Sequence, residues 1–206
     1  RGLGDVYKRQ VRVLVANYCN YKCPFCHNEG QDKTTTKERM SLQSFRRLVD
    51  ILSNQPISEF NISGGEPFLN EDIVDMILYI NDNLDCDISC ATNLSLIKPE
   101  HISVLSGTRI KFNIQFPFAT AEAFKRSTVT GNLDRILTNI DLLCAENIQV
   151  GLNTVVQSDD FSSISTLIDF ALERGLPLKL LPQIGLSGSN QFLNLSLIHI
   201  SEPTRH

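Results

Sequence analysis

The sequence lacks the features of several large functional classes. It has no excess of basic residues, because 19 Lys and Arg stand against 23 Asp and Glu and give a formal net charge of −4. The chain therefore has no positive field that would attract nucleic acid. It also lacks an apolar run of the roughly 20 residues that a membrane-spanning helix needs. These absences predict a protein with neither nucleic-acid nor membrane partners, and the hydrophobic content of 42% is ordinary for a globular chain.

A fourth cysteine is missing beside the most informative segment of the chain. Three cysteines lie within eight residues at the spacing CxxxCxxC: Cys19, Cys23 and Cys26. Thiolates at this spacing can hold one iron–sulfur cube, and three leave one iron open because the usual cube takes four cysteines. An open metal position can bind a substrate or cofactor, so the loop predicts a catalytic metal site rather than a purely structural one. The scattered remaining cysteines are expected to be small buried apolar side chains: Cys86, Cys90 and Cys144.

Three other interpretations of this loop stay open. A zinc site needs a fourth ligand at a set spacing, and His27 follows Cys26 too directly to share a tetrahedral ion. A disulfide is disfavoured because the chain is not a small cysteine-dense scaffold. Inert buried cysteines are the third alternative, and the polar residues between and around the thiols argue against it: Asn17, Asn20 and Lys22.

Strand and helix patterns alternate along the chain, which predicts an α/β fold with a parallel sheet and helices outside it. Six short β-rich segments are predicted as strands: 11–16, 57–62, 87–91, 109–116, 149–156 and 178–181. Segments with helical periodicity lie between them: 41–54, 71–84, 99–105, 133–147 and 161–174. A full eight-unit barrel needs about 250 residues, so the sequence predicts a partial (β/α)6 TIM-like barrel.

Glycines and polar residues follow the predicted strands at their carboxyl ends, where active sites of parallel barrels lie. In Gly64-Gly65-Glu66-Pro67, glycines let the backbone approach a ligand closely, and Glu66 could accept hydrogen bonds from an ammonium group. Taken alone, this segment is more typical of an ordinary turn than of a binding site. Further candidates, each of which could instead be a hydrogen-bonded interior group, follow or lie in the next strands: Thr92, Asn93, Asn113, Gln115 and Asn153.

Together, the cysteine loop with its aromatic Phe25 and the Gly-Gly-Glu-Pro segment resemble the two signatures of the radical S-adenosylmethionine (SAM) enzymes. The resemblance implies that the three cysteines hold a [4Fe-4S] cluster whose open iron chelates SAM. One electron from the cluster then cleaves SAM to methionine and a 5′-deoxyadenosyl radical, which abstracts hydrogen from a substrate. It further implies that Phe25 packs near the adenine and that Gly64, Gly65 and Glu66 bind the methionine amino group. The other polar candidates would hold the carboxylate, ribose and adenosine.

Within this superfamily, residues 11–183 resemble the GTP 3′,8-cyclases of molybdenum-cofactor biosynthesis, which are lyases. The resemblance implies that Arg12 contacts a nucleotide substrate such as GTP, although Arg12 is equally typical of a surface charge at a strand end. Two features depart from that pattern: Asn70 stands where a basic residue is common, and Asn113 and Gln115 stand where Ser and Asp are common. An enzyme that modifies a peptide or natural product has a similar core. A non-catalytic iron–sulfur or zinc-binding module is the alternative of another class.

The resemblance also implies an electron donor such as flavodoxin or ferredoxin. An oxygen-sensitive cluster with free thiols fits a reducing cytoplasm. Both ends, residues 1–10 and 195–206, resemble translated sequencing-adapter read-through, so we expect them to be non-native and residues 11–194 to be the radical SAM core domain.

Overall fold

In a computed structural model, which describes residues 9–26, 36–156 and 161–182, the chain forms one six-stranded sheet. All five strand pairs are parallel, and the spatial order β1-β2-β3-β4-β5-β6 follows the sequence. The strands are β1 (Gln10–Leu14), β2 (Glu59–Ser63), β3 (Asp87–Thr92), β4 (Ile110–Gln115), β5 (Gln149–Val156) and β6 (Leu178–Pro182). The predicted partial (β/α)6 barrel is confirmed. β1 already begins at Gln10, inside the segment expected to be non-native.

Six α-helices lie within the described ranges and connect the strands: α1 (Leu42–Leu52), α2 (Ile73–Asn83), α3 (Pro99–Leu105), α4 (Ala121–Thr128), α5 (Leu133–Ala145) and α6 (Phe161–Glu173). Five of them match predicted helices. Two of them begin at a polar side-chain cap: Ser41 accepts a hydrogen bond from Ser44 N–H at the start of α1, and Asn132 accepts one from Arg135 N–H at the start of α5. No helix among the described residues is both long and apolar enough to cross a membrane.

Helix α4 was not predicted. It is only eight residues long and mostly polar, and Phe124 is its one large buried side chain, so it carries no apolar periodicity. Cys144 also corrects a prediction, because it is exposed, whereas Cys86 and Cys90 are buried as expected. The buried face of α5 includes Leu143, and the next residue in a helix turns away from that face.

The two faces of the sheet differ in polarity. Side chains such as Phe60, Ile62 and Phe112 point towards the helices and are fully buried in one continuous core. The opposite face, called the lining face below, is polar and lies inside the partial barrel. Alternation along β4 confirms that Asn113 and Gln115 share this face.

Strand register divides the lining face into layers. One layer runs through paired residues of five strands: Arg12, Asn61, Ser89, Lys111 and Gln149. The next layer towards the carboxyl ends holds Leu14, Ser63, Ala91, Asn113 and Gly151.

Candidate active site

Backbone hydrogen bonds join the turn after β2 to the cysteine loop after β1. Val15 N–H donates to the Ser63 carbonyl oxygen over 2.9 Å, which continues the ladder beyond the strands. Gly65 N–H then donates to Ala16 O over 2.9 Å, and Glu66 N–H donates to Tyr18 O over 3.0 Å. The two sequence signatures therefore form one continuous structure at the carboxyl edge of the sheet.

Only glycine fits at the two positions of this junction. A Cβ added to Gly64 would lie 2.4 Å from Ala16 O, and Gly64 also has a φ of +147°, which disfavours other residues. A Cβ added to Gly65 would lie 2.2 Å from both the carbonyl carbon and the oxygen of Tyr18. The glycines thus bring the two loops into direct contact, and the close approach that was expected towards a ligand is made here towards the cysteine loop.

Glu66 is fully buried beneath this junction, and backbone and side-chain donors hold its carboxylate. Oε1 accepts from Phe68 N–H over 3.1 Å and from Thr92 Oγ1 over 2.6 Å, while Oε2 accepts from Asn93 N–H over 2.8 Å. Burial raises the pKa of Glu66, and these three hydrogen bonds oppose the rise. A carboxylate has about four acceptor positions, so Glu66 keeps capacity for a further donor such as an ammonium group.

The three cysteine side chains belong to one loop and lie near enough to one another to interact electrostatically. Cys19 Sγ accepts from Tyr21 N–H over 3.3 Å and from Asn93 Nδ2 over 3.7 Å. The pKa of Cys19 is raised to about 11, mainly by burial and further by the negative charges of Glu66 and Cys26. The pKa of Cys23 is raised to about 12, again mainly by burial and further by Cys19 and Cys26. Metal binding would have to displace these protons.

The arrangement of the thiols bears on which metal group they suit. Within the described ranges, no set of three His, Cys, Asp or Glu side chains is placed to hold a single metal ion. A zinc site requires its ligands to converge on one ion, whereas the cysteines of an iron–sulfur cube bind different irons. Cys19, Cys23 and Cys26 belong to one loop, which is typical of cysteines that bind an iron–sulfur cluster.

A polar network that the sequence did not reveal fixes the cysteine loop to the end of β3. Asn20 Nδ2 donates to Ser95 Oγ over 2.8 Å, and Asn93 Nδ2 donates to Asn20 Oδ1 over 2.9 Å. Ser95 Oγ also donates to Asn93 Oδ1 over 2.6 Å, and Thr130 Oγ1 donates to the Asn20 carbonyl oxygen over 3.0 Å. The only signal in the sequence is the run of short polar residues after β3, and its partner in the loop is distant along the chain.

The other predicted site residues are distributed around the lining face. Gln115 has a buried Nε2 without a hydrogen-bond partner among the described residues. Asn153 pairs with Gln115 across β4 and β5, and Asn113 lies one position earlier on the same face. Arg12 reaches Ser63, where its Nη2 donates to Oγ over 2.9 Å. Phe25 is buried in the core cluster, while His27 lies outside the described residues.

These residues fit a cluster with SAM bound to it. The loop offers three thiols and no fourth cysteine, which would leave one iron of a cube open to an external ligand. Glu66 has a remaining acceptor position for an amino group, and the unpartnered Gln115 amide can donate to an acceptor in the barrel. The site thus combines a metal-binding loop with donors and acceptors for a polar cofactor.

Curated proteins resemble the chain in sequence. The chain is 27% identical over 204 residues to a GTP 3′,8-cyclase of Clostridium perfringens (strain 13 / Type A), which covers 96% of this chain and 63% of the relative. It is 30% identical over 172 residues to a probable GTP 3′,8-cyclase of Thermococcus kodakarensis, which covers 83% of this chain and 55% of the relative. The chain therefore spans less than two thirds of these relatives.

Solved structures share the fold. The crystal structure of Streptococcus suis SuiB bound to S-adenosylmethionine has a TM-score of 0.77 at 17% identity, over 89% of this chain and 42% of that one. The structure of native anSMEcpe with bound AdoMet has a TM-score of 0.71 at 15% identity, over 85% and 51% of the two chains. Residues 13–171 match the family described as the Radical SAM superfamily. This chain is a member of the Radical SAM superfamily.

Proposed function

We propose that this chain is the SAM-binding core of a radical SAM enzyme, with Cys19, Cys23 and Cys26 as the ligands of a [4Fe-4S] cluster. The observation that carries the proposal is the junction in which the Gly-Gly-Glu turn is bonded to the cysteine loop through Ala16 and Tyr18. This junction connects the expected cluster ligands and the expected amino-group acceptor through backbone hydrogen bonds at one edge of the sheet. When bound, the cluster and SAM supply a 5′-deoxyadenosyl radical that abstracts hydrogen.

The residues of the chain position the cofactor and shield it. Glu66, fixed by Thr92 and by Asn93 N–H, accepts hydrogen bonds from the methionine ammonium group. Asn93 also donates to Cys19 Sγ, so one residue supports both the carboxylate and a cluster ligand. The amides of Asn113, Gln115 and Asn153 offer donors and acceptors to the carboxylate and adenosine, and Phe25 supplies an apolar surface for the adenine.

A small-molecule substrate, with GTP as the first candidate, follows from the similarity to proteins named GTP 3′,8-cyclase. The position of Arg12 on the lining face supports this substrate, because a guanidinium group is suited to phosphate recognition. An electron donor such as flavodoxin or ferredoxin and a cytoplasmic location belong to the same proposal. A peptide is the alternative substrate, and substrate assays must distinguish it from GTP.

Anaerobic reconstitution with iron and sulfide tests the cluster. We expect a cluster whose electron paramagnetic resonance spectrum changes when SAM is added, and we expect single alanine variants of Cys19, Cys23 or Cys26 to lose it. The matched control is Cys144→Ala, which removes an exposed thiol outside the loop. Bound zinc in place of iron, or equal iron loading in Cys23→Ala and Cys144→Ala, would contradict the assignment.

GTP turnover tests the substrate. The complete gene product, reconstituted and reduced with SAM, should convert GTP to a cyclised product with formation of 5′-deoxyadenosine. If SAM is cleaved but GTP neither accelerates the cleavage nor is converted to a cyclised product, GTP is rejected as the substrate. The assignment as a radical SAM enzyme then still stands.

A further inference from the structure

Asn93 lies where the end of β3 meets both Glu66 and the cysteine loop. Its backbone N–H donates to Glu66 Oε2 over 2.8 Å. Its side-chain Nδ2 donates to Asn20 Oδ1 over 2.9 Å and to Cys19 Sγ over 3.7 Å, a length usual for the larger sulfur atom. One residue therefore contacts both the expected amino-group acceptor and the first of the three expected cluster ligands.

The hydrogen-bonding capacity of the Asn93 side chain is fully used within the protein. A primary amide has two N–H donors and an oxygen that can accept two hydrogen bonds. Cys19 and Asn20 take both donors, while Oδ1 accepts from Ser95 N–H over 3.0 Å and from Ser95 Oγ over 2.6 Å. The residue is also buried, with 6% of its surface exposed. In this arrangement Asn93 has no donor or acceptor left for a bound ligand.

The surrounding turn fixes which end of the amide faces the sulfur. A backbone N–H can only donate, so the hydrogen bond from Ser95 N–H requires Oδ1 of Asn93 to face Ser95. The opposite end, Nδ2, must then face Cys19 and Asn20. Ser95 Oγ supports the same orientation, because it accepts from Asn20 Nδ2 over 2.8 Å and donates to Asn93 Oδ1. The donor to Cys19 is therefore held in place from two sides.

This bond can influence a cluster held by the loop. Cys19 Sγ also accepts from Tyr21 N–H over 3.3 Å, but that donor is a backbone group, which does not depend on the residue type at position 21. The donor from Asn93 does depend on residue type. Hydrogen bonds to the cysteine sulfurs are among the factors that set the reduction potential of an iron–sulfur cluster, because they stabilise the negative charge that reduction adds.

We propose that Asn93 is a positioning residue that raises the reduction potential of the cluster through its hydrogen bond to Cys19, instead of binding SAM directly. This inference rests on the proposed function, because it requires the cluster assigned to the cysteine loop. It adds a means by which the chain eases the one-electron reduction that precedes SAM cleavage. The contact to Glu66 comes from the Asn93 backbone, so it does not depend on the amide.

Potentiometric titration of the reconstituted 206-residue chain, followed by electron paramagnetic resonance without SAM, tests this role. We expect Asn93→Ala to lower the ratio of reduced to oxidised cluster about tenfold at a fixed potential, which is a downward shift of about 59 mV for one electron. Asn93→Asp should shift the potential downwards at least as far, because a carboxylate repels the added electron.

The matched control is Asn139→Ala. Asn139 is an amide that is also 6% exposed, and its Nδ2 donates to Leu94 O over 2.9 Å. It therefore supports the same turn after β3, and none of its hydrogen bonds in the described part of the chain goes to a cysteine. We expect Asn139→Ala to keep the potential of the wild type.

An unchanged or higher potential in Asn93→Ala, or an equal fall in Asn139→Ala, would overturn the inference. A loop that was merely loosened would admit water, which stabilises the added charge and raises the potential, so the direction of the shift separates the two effects. If Asn93→Ala assembles no cluster, Asn93→Asp decides, because it keeps an oxygen acceptor for Ser95. A potential in Asn93→Asp at or above that of the wild type, or no cluster in either variant, rejects the role in tuning.

The same samples report separately on the proposed function. A wild type that assembles no iron–sulfur cluster would reject the proposed function itself. A wild type that holds a cluster and cleaves SAM, with a potential that Asn93→Ala does not lower, would reject the role of Asn93 alone.

Discussion

At the scale of single residues, backbone crowding at Gly65 is the strongest constraint on the site. Its missing Cβ would lie 2.2 Å from the Tyr18 carbonyl group, which is backbone and cannot move without displacing the cysteine loop. Gly107 provides a contrast, because its φ of +80° is unfavourable for other residues but no atom lies within 4 Å of its Cβ position. Gly65 is required because a side chain would not fit there, and Gly107 is required because its backbone conformation is unfavourable for other residues.

Replacement of these two glycines by alanine separates the effects. We expect Gly65→Ala to lower the free energy of unfolding by about 3 kcal/mol through overpacking, and Gly107→Ala to lower it by about 1 kcal/mol through backbone strain. Urea denaturation of both variants measures the difference. Equal losses, or a smaller loss in Gly65→Ala, would show that the two loops are not in contact as described.

His101 gives the fold a pH dependence. Its ring stacks on Phe68 with centroids 5.7 Å apart, and its Nδ1 accepts a hydrogen bond from Lys98 N–H over 3.4 Å. Burial, followed by the charge of Lys98, lowers the pKa of His101. The unfolded chain therefore binds this proton at a higher pH than the folded chain, so stability is lost as pH falls through the ordinary histidine pKa towards the lowered one.

We expect the urea midpoint of the wild type to fall between about pH 7 and about pH 5 by more than that of His101→Gln. The variant has no group that titrates in this range at position 101, and any pH dependence that it retains comes from other residues. Identical falls in the two proteins would rule out His101 as a source of acid sensitivity.

At the scale of secondary-structure elements, the Asn70 side chain forms hydrogen bonds to three separate segments of the fold. Its Nδ2 donates to Val15 O over 3.0 Å and to Met40 O over 2.9 Å, and its Oδ1 accepts from Asp72 N–H over 3.1 Å. These partners lie after β1, before α1 and before α2. In the sequence, Asn70 stood out only because a basic residue is common at its position. Its contacts join segments that are far apart along the chain, and such contacts do not affect the periodic spacing of apolar residues.

Asn70→Leu should lower the free energy of unfolding by about 3 kcal/mol, because it removes the three hydrogen bonds that this buried side chain makes to backbone groups. Asn54→Leu, at an exposed position after α1, is the matched control and should change stability by less than about 0.5 kcal/mol. Denaturant titration of both variants checks the comparison. A loss in Asn70→Leu no greater than that in the control would remove Asn70 as a structural link.

The elements themselves were largely predictable because their burial is periodic. β5 was predicted with its observed bounds, and α3 likewise, since flanking turn residues and a leading proline mark them. Helix α4 was missed because a short polar helix with one buried phenylalanine carries no such pattern. The exposure of Cys144 was missed because residue type alone does not reveal which side of a helix a cysteine occupies.

At the scale of the whole molecule, the parallel order of six strands brings distant motifs to one edge. Consecutive strands place the cysteine loop, the Gly-Gly-Glu turn and Thr92-Asn93 beside one another. The sequence predicted this convergence from strand order alone. It did not predict that the turn and the loop are hydrogen-bonded, or that Asn20 and Ser95 bridge the loop to β3, because such contacts depend on three-dimensional packing.

The most direct test of the central claim is the formation of 5′-deoxyadenosine by the reconstituted chain, reduced with dithionite in the presence of SAM and analysed by chromatography. We expect 5′-deoxyadenosine from the wild type and from Cys144→Ala, and none from Cys23→Ala. A reconstituted wild-type cluster that yields no 5′-deoxyadenosine, or equal yields from the wild type and Cys23→Ala, would contradict it.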